Sequence, residues 1–259
     1  MKLETGYLQV RLAESTADLR ASERLRYEVF VEELGADGPL VDHERRFERD
    51  AFDPFYDHLV LVDTRRAPAA LDHVVGVYRL LSGKDAKACG QFYSENEYDL
   101  SKLKQSGRSL LELGRSCLAP EFRGGLGLHL LWSALSDYVR ARNIDILFGV
   151  ASLHGTNLDA LALPLSHLHH TFLAPPDLRV RAHNPVYQSM DLIPRSKIDR
   201  VAAMRAVPPL IKSYLRLGGF VGDGAFVDHA FNTTDVCLVM DTARMNTAAM
   251  ARFTQRVPQ

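Results

Sequence analysis

The chain has 259 residues, of which 46% are hydrophobic, and a formal net charge of -1. That length suits one large α/β domain with a sizeable core and is short for two full domains. The charge balance excludes the strongly basic face expected of a general nucleic-acid binder, and three scattered cysteines (Cys89, Cys117, Cys237) exclude a disulfide framework or a CxxC zinc site and fit a reducing cytosol.

Met1 to Thr5 lacks the apolar stretch of a signal peptide, and no run of 18 or more apolar residues is present, so any contact with lipid is expected from the surface, as a peripheral cytoplasmic protein. Tyr7 to Leu12 alternates and predicts a first strand. A helix should follow, with Ser15 or Thr16 as N-cap, Leu25/Val29 and Phe30/Leu34 as apolar i,i+4 pairs, and Gly35 as its stop. Residues 36–57 read as an irregular charged loop containing Pro39 and Pro54. Two strands are expected at 58–63 and 73–81, joined by a turn at Arg65-Arg66-Ala67-Pro68.

A polar excursion with a short helix after Asp99 leads to a fourth strand at 109–118. A helix over 125–142 is predicted by Leu128, Leu131, Trp132, Leu135 and Val139 on one face. The continuous apolar run 144–150 suits a central strand. Residues 157–170 should be helical, broken or kinked at Pro164, and ended by Pro175-Pro176. A short strand at 178–182, helices at 199–206 and 209–217 stopped by Gly218-Gly219, and strands at 220–226 and 234–240 complete the chain. This order predicts a mixed α/β fold, a mostly antiparallel sheet flanked by helices with C-terminal additions, organised as one domain over 1–245 with a tail at 246–259.

The order of elements, with the turn Phe122-Arg123-Gly124-Gly125-Leu126-Gly127 between a fourth strand and a long helix, resembles the GNAT acyltransferase fold. In that family an Arg/Gln-x-x-Gly-x-Gly/Ala turn presents backbone N–H groups to a pyrophosphate at a helix N-terminus, where amides and helix dipole favour an anion. Here the glycines after Arg123 fall at 124, 125 and 127, one position out of step. The resemblance therefore implies that Arg123, Gly124, Gly125 and Gly127 meet the single phosphodiester of an acyl carrier protein arm instead of coenzyme A, the alternative being a turn that serves packing alone.

Leu25-Arg26-Tyr27-Glu28-Val29-Phe30, Glu48-Arg49-Asp50-Ala51-Phe52-Asp53, and the pair Gly76-Val77-Tyr78-Arg79-Leu80 and Glu112-Leu113-Gly114-Arg115 are similar to segments of the acyl-homoserine lactone synthases. More of the chain, roughly residues 20 to 241, resembles the ornithine-acyl carrier protein N-acyltransferases, through 148–157, 168–175, 208–218 and 231–236. The resemblance implies transfer of a 3-hydroxyacyl chain from acyl carrier protein to the α-amine of ornithine, giving a lyso-ornithine lipid. The thioester arm is then a substrate, and no cofactor is implied. Arg26, Phe30, Asp53 and Arg79 are implied as substrate-binding residues, and Glu48, Asp50, Glu112 and Arg115 as catalytic ones.

The chemistry needs a neutral amine, a polarised thioester carbonyl, a leaving thiolate and two reactants held in line. Glu112, inside the fourth strand, is a candidate proton acceptor or else a strand carboxylate paired with Arg115. Gly114 beside it suggests a bulge. Glu48, Asp50 and Asp53 could supply a negative pocket for the side-chain ammonium, or be balanced by Arg45, Arg46 and Arg49. Arg79 and Arg115 suit a substrate carboxylate, and being in strands that read as buried they should face some anion.

His167, His169 and His170 lack the spacing of a metal site. Cys117 reads as a small core residue. Lys212 and Arg216, on a helix with Leu210, Ile211, Tyr214 and Leu215, suit either anionic lipid or plain packing. Two other functions stay open: an acyl-homoserine-lactone-type synthase using S-adenosylmethionine, and a non-catalytic acyl-carrier or lipid-binding module on the same scaffold.

Overall fold

A computed structural model describes residues 2–123 and 125–246, which fall into two compact units. The first takes the chain up to Gly90 and residues 113–143; the second takes 91–112 and the chain from Ile144 on. The tail expected from residue 246 lies, from 247 on, outside the described residues.

In the first unit, strands β1 (Lys2–Thr5), β2 (Leu8–Leu12), β3 (Asp57–Asp63) and β4 (Val74–Ser82) pair antiparallel in that order. β6 (Leu110–Leu118) neighbours β4, and its residues from Leu113 on belong to this unit. Every residue of β4 but the last is buried, as its apolar run, interrupted only by Arg79 before Ser82, requires. Helix α1 (Thr16–Arg26) begins with a capping box in which Ser15 Oγ accepts from Asp18 N while Asp18 accepts from Ser15 N. Its buried residues, Asp18, Ala21, Ser22, Leu25 and Arg26, recur at helical spacing and pack on β4. Helix α2 is Gly83–Cys89. Helix α4 (Leu126–Ala141) lies across β1 to β4 with Leu131, Ala134, Leu135 and Tyr138 inward.

In the second unit, β5 (Tyr98–Asp99), α3 (Ser101–Gln105) and the first residues of β6 are joined by β7 (Ile146–His154), α5 (Leu158–Phe172), β8 (Arg181–Ala182), α6 (Arg200–Ala206), α7 (Pro209–Arg216), β9 (Phe220–Asp228) and β10 (Thr233–Asp241). β6 runs parallel to β7 through Leu110, Leu111 and Glu112 against Ile146, Leu147 and Phe148. β7, β10 and β9 then form an antiparallel series, and β8 adds parallel to β9. The core is built on Leu111, Ile146, Leu165, Leu168, Val221 and Val236.

Four features differ from expectation. β1 is a short, largely exposed edge strand, and α2 buries only Ala86, so neither shows an apolar period. The first helix does not stay α-helical to Gly35: over Tyr27–Glu33 it widens to a π-helix. β7 runs past the apolar stretch to His154 because β10 pairs with it along its whole length. Helix α5 continues through Pro164, since burial of residues 164–168, with Leu165 and Leu168 fully covered, offsets the roughly 3 kcal/mol that an internal proline costs.

The turn into α4 is tight at Gly127. A Cβ there would meet Phe122 O at 2.9 Å and Leu61 Cδ2 at 3.1 Å, whereas one at Gly125 would meet open space. Gly127→Ala is expected to lower stability by about 1–3 kcal/mol in urea unfolding, the range for overpacking, with Gly125→Ala near neutral; equal effects would contradict this packing.

Candidate active site

Arg26 ends the α-helical part of the first helix on its inward face and is fully buried. A guanidinium there is prohibitively costly unless paired. Its partners come from the charged loop. Arg26 Nε donates to Glu48 Oε2 at 2.5 Å, and Nη1 and Nη2 donate to Asp53 Oδ1 and Oδ2 at 2.5 and 3.1 Å. The loop is held for this: Glu48 N donates to Glu23 O, Asp50 N to Asp53 Oδ2, and Phe52 N to Asp50 Oδ1.

Arg79 of β4, also fully buried, donates through Nη1 to Asp50 Oδ1 at 2.9 Å and Asp53 Oδ1 at 2.8 Å, and its guanidinium stacks 4.3 Å from the Tyr56 ring. Arg115 of β6 donates to Glu48 Oε1 at 3.2 Å and places Nη2 3.4 Å from Asp50 Oδ2. Three carboxylates thus meet three guanidiniums, and their charges cancel. Asp50, Asp53 and Arg115 form the slightly exposed margin.

Two atoms of this array have no hydrogen-bond partner among the described residues: the donor Arg79 Nε and the acceptor Asp50 Oδ2. Gly114 leaves room beside the first, since a methyl there would lie 3.7 Å from Arg79 Nη2 and 3.6 Å from Tyr56 Oη. The backbone turns left-handed at Arg115 (φ 47°), a conformation uncommon for a side-chain-bearing residue. The irregularity expected at Gly114 is thus carried by its neighbour.

Burial on its own would raise the Glu48 carboxyl, but Arg26 and Arg115 overcome it and hold the group at about 2. Burial likewise pushes the Asp53 carboxyl up, but Arg26 and Arg79 overcome it and hold the group well below the usual carboxylate range. His58 Nε2 donates to Asp53 O at 3.1 Å; burial lowers its pKa and keeps the ring neutral. Cys117 is buried and its thiol is pushed up to about 12 by that burial, unsuited to a thiolate nucleophile.

Glu112, in the second unit, is also buried. Its Oε1 accepts from Ser94 N at 2.7 Å and Ser94 Oγ at 2.5 Å, and Oε2 accepts from Tyr93 N at 2.8 Å. Sequence reasoning gave no hint of Ser94, nor of Tyr56 and His58 beside the arginines; only the demand for partners around a buried charge pointed their way. Phe30 lies half-buried in the π-helix. Arg123 donates to both oxygens of Glu33, at 2.7 and 2.6 Å, and to Leu118 O at 3.0 Å. Gly125 is the N-cap of α4, Gly127 is spent on packing, and Gly124 lies outside the described residues. His170 Nε2 donates to Ile193 O, and His167 Nδ1 meets Thr171 Oγ1.

The Acetyltransferase (GNAT) domain family matches residues 25–133. The L-ornithine N(alpha)-acyltransferase of Rhodobacter capsulatus is 57% identical over 249 residues, 96% of this chain and 95% of the relative. The protein of that name from Brucella abortus is 43% identical over 250 residues, 96% and 89% of the two chains. The crystal structure of the AHL synthase LasI aligns with a TM-score of 0.51 at 14% identity, covering 98% of this chain and 100% of the other. That likeness speaks for the fold alone, which with the matching domain family is a GNAT fold.

Arg26→Met leaves Glu48 and Asp53 buried with a cation missing and is expected to cost about 3–5 kcal/mol in urea unfolding, whereas Arg140→Gln, which removes an exposed pair with Asp137, should stay within about 1 kcal/mol. Similar losses for both would contradict the network's dominance. In acid, the folded state resists protonation at His58 (ordinary value 6.5) and Glu48 (ordinary value 4.5), so the unfolded chain binds more protons. Stability should therefore be level above pH 6.5 and fall as pH drops through 4.5 toward 2; Glu48→Gln should lessen the lower part of that fall, which Asp53 and Asp18, also held low, share.

Proposed function

This chain belongs to the L-ornithine N(alpha)-acyltransferase family, and on that premise we propose that it transfers a 3-hydroxyacyl group from acyl carrier protein to the α-amine of L-ornithine, releasing a lyso-ornithine lipid and the free pantetheine thiol. The observation that carries the substrate assignment is a pair of atoms without a hydrogen bond in an otherwise neutral array, one of them, Asp50 Oδ2, held only by a 3.4 Å ion pair with Arg115. Arg79 Nε offers a donor to the substrate carboxylate, and Asp50 Oδ2 offers an acceptor to the side-chain ammonium. One buried donor and one buried acceptor beside balanced charges fit an amino acid bearing a second cation better than a neutral acyl acceptor.

The remaining members hold these two in place. Arg26, Glu48 and Asp53 lock the loop to the first helix, Arg115 spans Glu48 and Asp50, and Phe30 lends an apolar side to the acyl chain. The side-chain amine of ornithine, with a pKa like lysine's of about 10.4, stays charged at neutral pH, while the less basic α-amine reaches its nucleophilic form more readily. The amine nitrogen attacks the thioester carbonyl carbon, the C–S bond breaks, the amine gives up a proton and the thiolate gains one. We assign the proton-accepting role to Glu112, whose carboxylate Tyr93 and Ser94 hold in one orientation. Arg123, by exchanging Glu33 for a phosphate, and the amides around Gly124 and Gly125 would receive the phosphodiester of the carrier arm. Transfer of a hydrophobic chain also brings the enzyme to a membrane surface. Among the described residues no helix is long and apolar enough to cross one.

The test incubates the purified chain with 3-hydroxyacyl carrier protein and a panel of amino acids and reads products by mass spectrometry. N-acylornithine should dominate; acylation of another amino acid in preference, or a lactone formed from S-adenosylmethionine, would overturn the assignment. Asp50→Asn should cut the preference for ornithine over norvaline, which lacks the second amine, by about tenfold or more. Glu112→Gln should lower kcat by about a hundredfold, at the low end for a lost general base; wild-type kcat would leave Glu112 only the task of holding Tyr93 and Ser94.

A further inference from the structure

Residues 192–217 of the second unit carry six basic side chains, Arg195, Lys197, Arg200, Arg205, Lys212 and Arg216, against one carboxylate, Asp199: a formal +5 within a chain whose total is -1. Asp199 is occupied as the N-cap of α6, accepting from Val201 N at 2.9 Å and Ala202 N at 3.0 Å. Among the described residues none of the six pairs with a carboxylate. Every described arginine outside the segment does so, Arg49 and Arg179 excepted. A chain that pairs its arginines almost everywhere leaves this stretch of cations open.

The same stretch exposes apolar side chains. Val201 is 69% exposed, more than any other large apolar residue described, and Leu192 is 37% exposed. Val201 and Arg205 lie four apart on α6 and share its outer face, while Ala203 and Val207 are buried behind them. The presentation is firm. Lys212 of α7 donates to Arg205 O at 3.1 Å, linking the two helices. Leu192 N and Ile193 N donate to Ser166 Oγ at 3.0 and 2.8 Å, strapping the start of the segment to α5. Ile211, Tyr214 and Leu215 fix α7 from its buried side.

We propose that this stretch docks on an anionic lipid surface, with Val201 and Leu192 entering the boundary between headgroups and chains while the five exposed cations, Arg195, Lys197, Arg200, Arg205 and Arg216, meet lipid phosphates. Exposed aliphatic tips set among unpaired cations are the pattern of an interfacial element. The choice of a bilayer over an acidic protein also rests on the proposed reaction, whose acylated product is an amphiphile that partitions into lipid.

Co-sedimentation of the full chain with vesicles of phosphatidylcholine alone, or mixed with phosphatidylglycerol, tests this without any substrate. Binding should require the anionic lipid and weaken with salt. Arg200→Gln and Arg205→Gln should each lower it about fivefold, the equivalent of about 1 kcal/mol per basic residue near such a surface. Val201→Asp should lower it further, while melting temperature and acylation of ornithine in lipid-free solution stay unchanged. Failure of the wild-type chain to bind, equal binding to neutral vesicles, or wild-type binding by a variant that combines Arg200→Gln, Val201→Asp and Arg205→Gln would overturn the proposal. So would variants that bind vesicles normally but lose affinity for acyl carrier protein, which would make the face a carrier-docking surface. Vesicle binding without ornithine acylation would sink the proposed reaction and leave this surface standing.

Discussion

A guanidinium shut away from water cannot be left alone, and Arg26 imposes that condition on the first unit. Its position follows from the helix: the capping box at Ser15 sets the register, and the inward stripe then delivers residue 26 to the interior. Once there, it needs more than one carboxylate oxygen, which a loop must bring. Glu48 and Asp53 do so, and both then need further cations, which Arg79 and Arg115 supply from two strands. An irregular stretch between 36 and 57 is thereby tied to a helix and to two strands by charge, not by an apolar core of its own. Such arrays contribute little net stability over an apolar replacement, yet losing one member strands the others. They hold geometry better than they hold the fold together.

That balance shapes the chemistry available. If the three acids were free, they would form a strongly negative pocket open to any cation. Paired as they are, they present almost no net charge, and in the proposed reaction selectivity falls to two atoms without a hydrogen bond, Arg79 Nε and Asp50 Oδ2. An acceptor with no second amine would leave the Asp50 oxygen with only its 3.4 Å ion pair to Arg115, and a buried polar group short of a hydrogen bond discriminates between substrates. The left-handed backbone at Arg115 belongs to the same economy of position, since it turns that side chain toward Glu48 and Asp50 from within a strand.

Much of this was legible in the sequence, for physical reasons. Arg79 stands in an otherwise apolar strand, where a charge must have a partner, and the acidic loop supplies it. The helices at 126–141 and 209–216 and the paired strands near the C-terminal end of the described chain announced themselves by period and by glycine stops. What stayed hidden depends on tertiary context. No local signal marks the π-helical widening after Arg26, the survival of α5 through Pro164, or the ladder that carries β7 to His154. Glu112 accepts from Tyr93 and Ser94, which sit in a short 3-10 turn whose place no periodicity foretells. Arg123 read as an open cation, and its bidentate hold on Glu33 joins residues far apart in the chain.

The central claim is that Arg26 and its acidic loop act as one charged unit. A double-mutant cycle across Arg26→Met and Glu48→Gln, followed by urea unfolding, measures that directly. The single changes should be far from additive, with the double variant recovering about 1–3 kcal/mol of their summed loss. Strict additivity would mean that the two side chains stand near each other without depending on each other, and the account built on their coupling would be wrong.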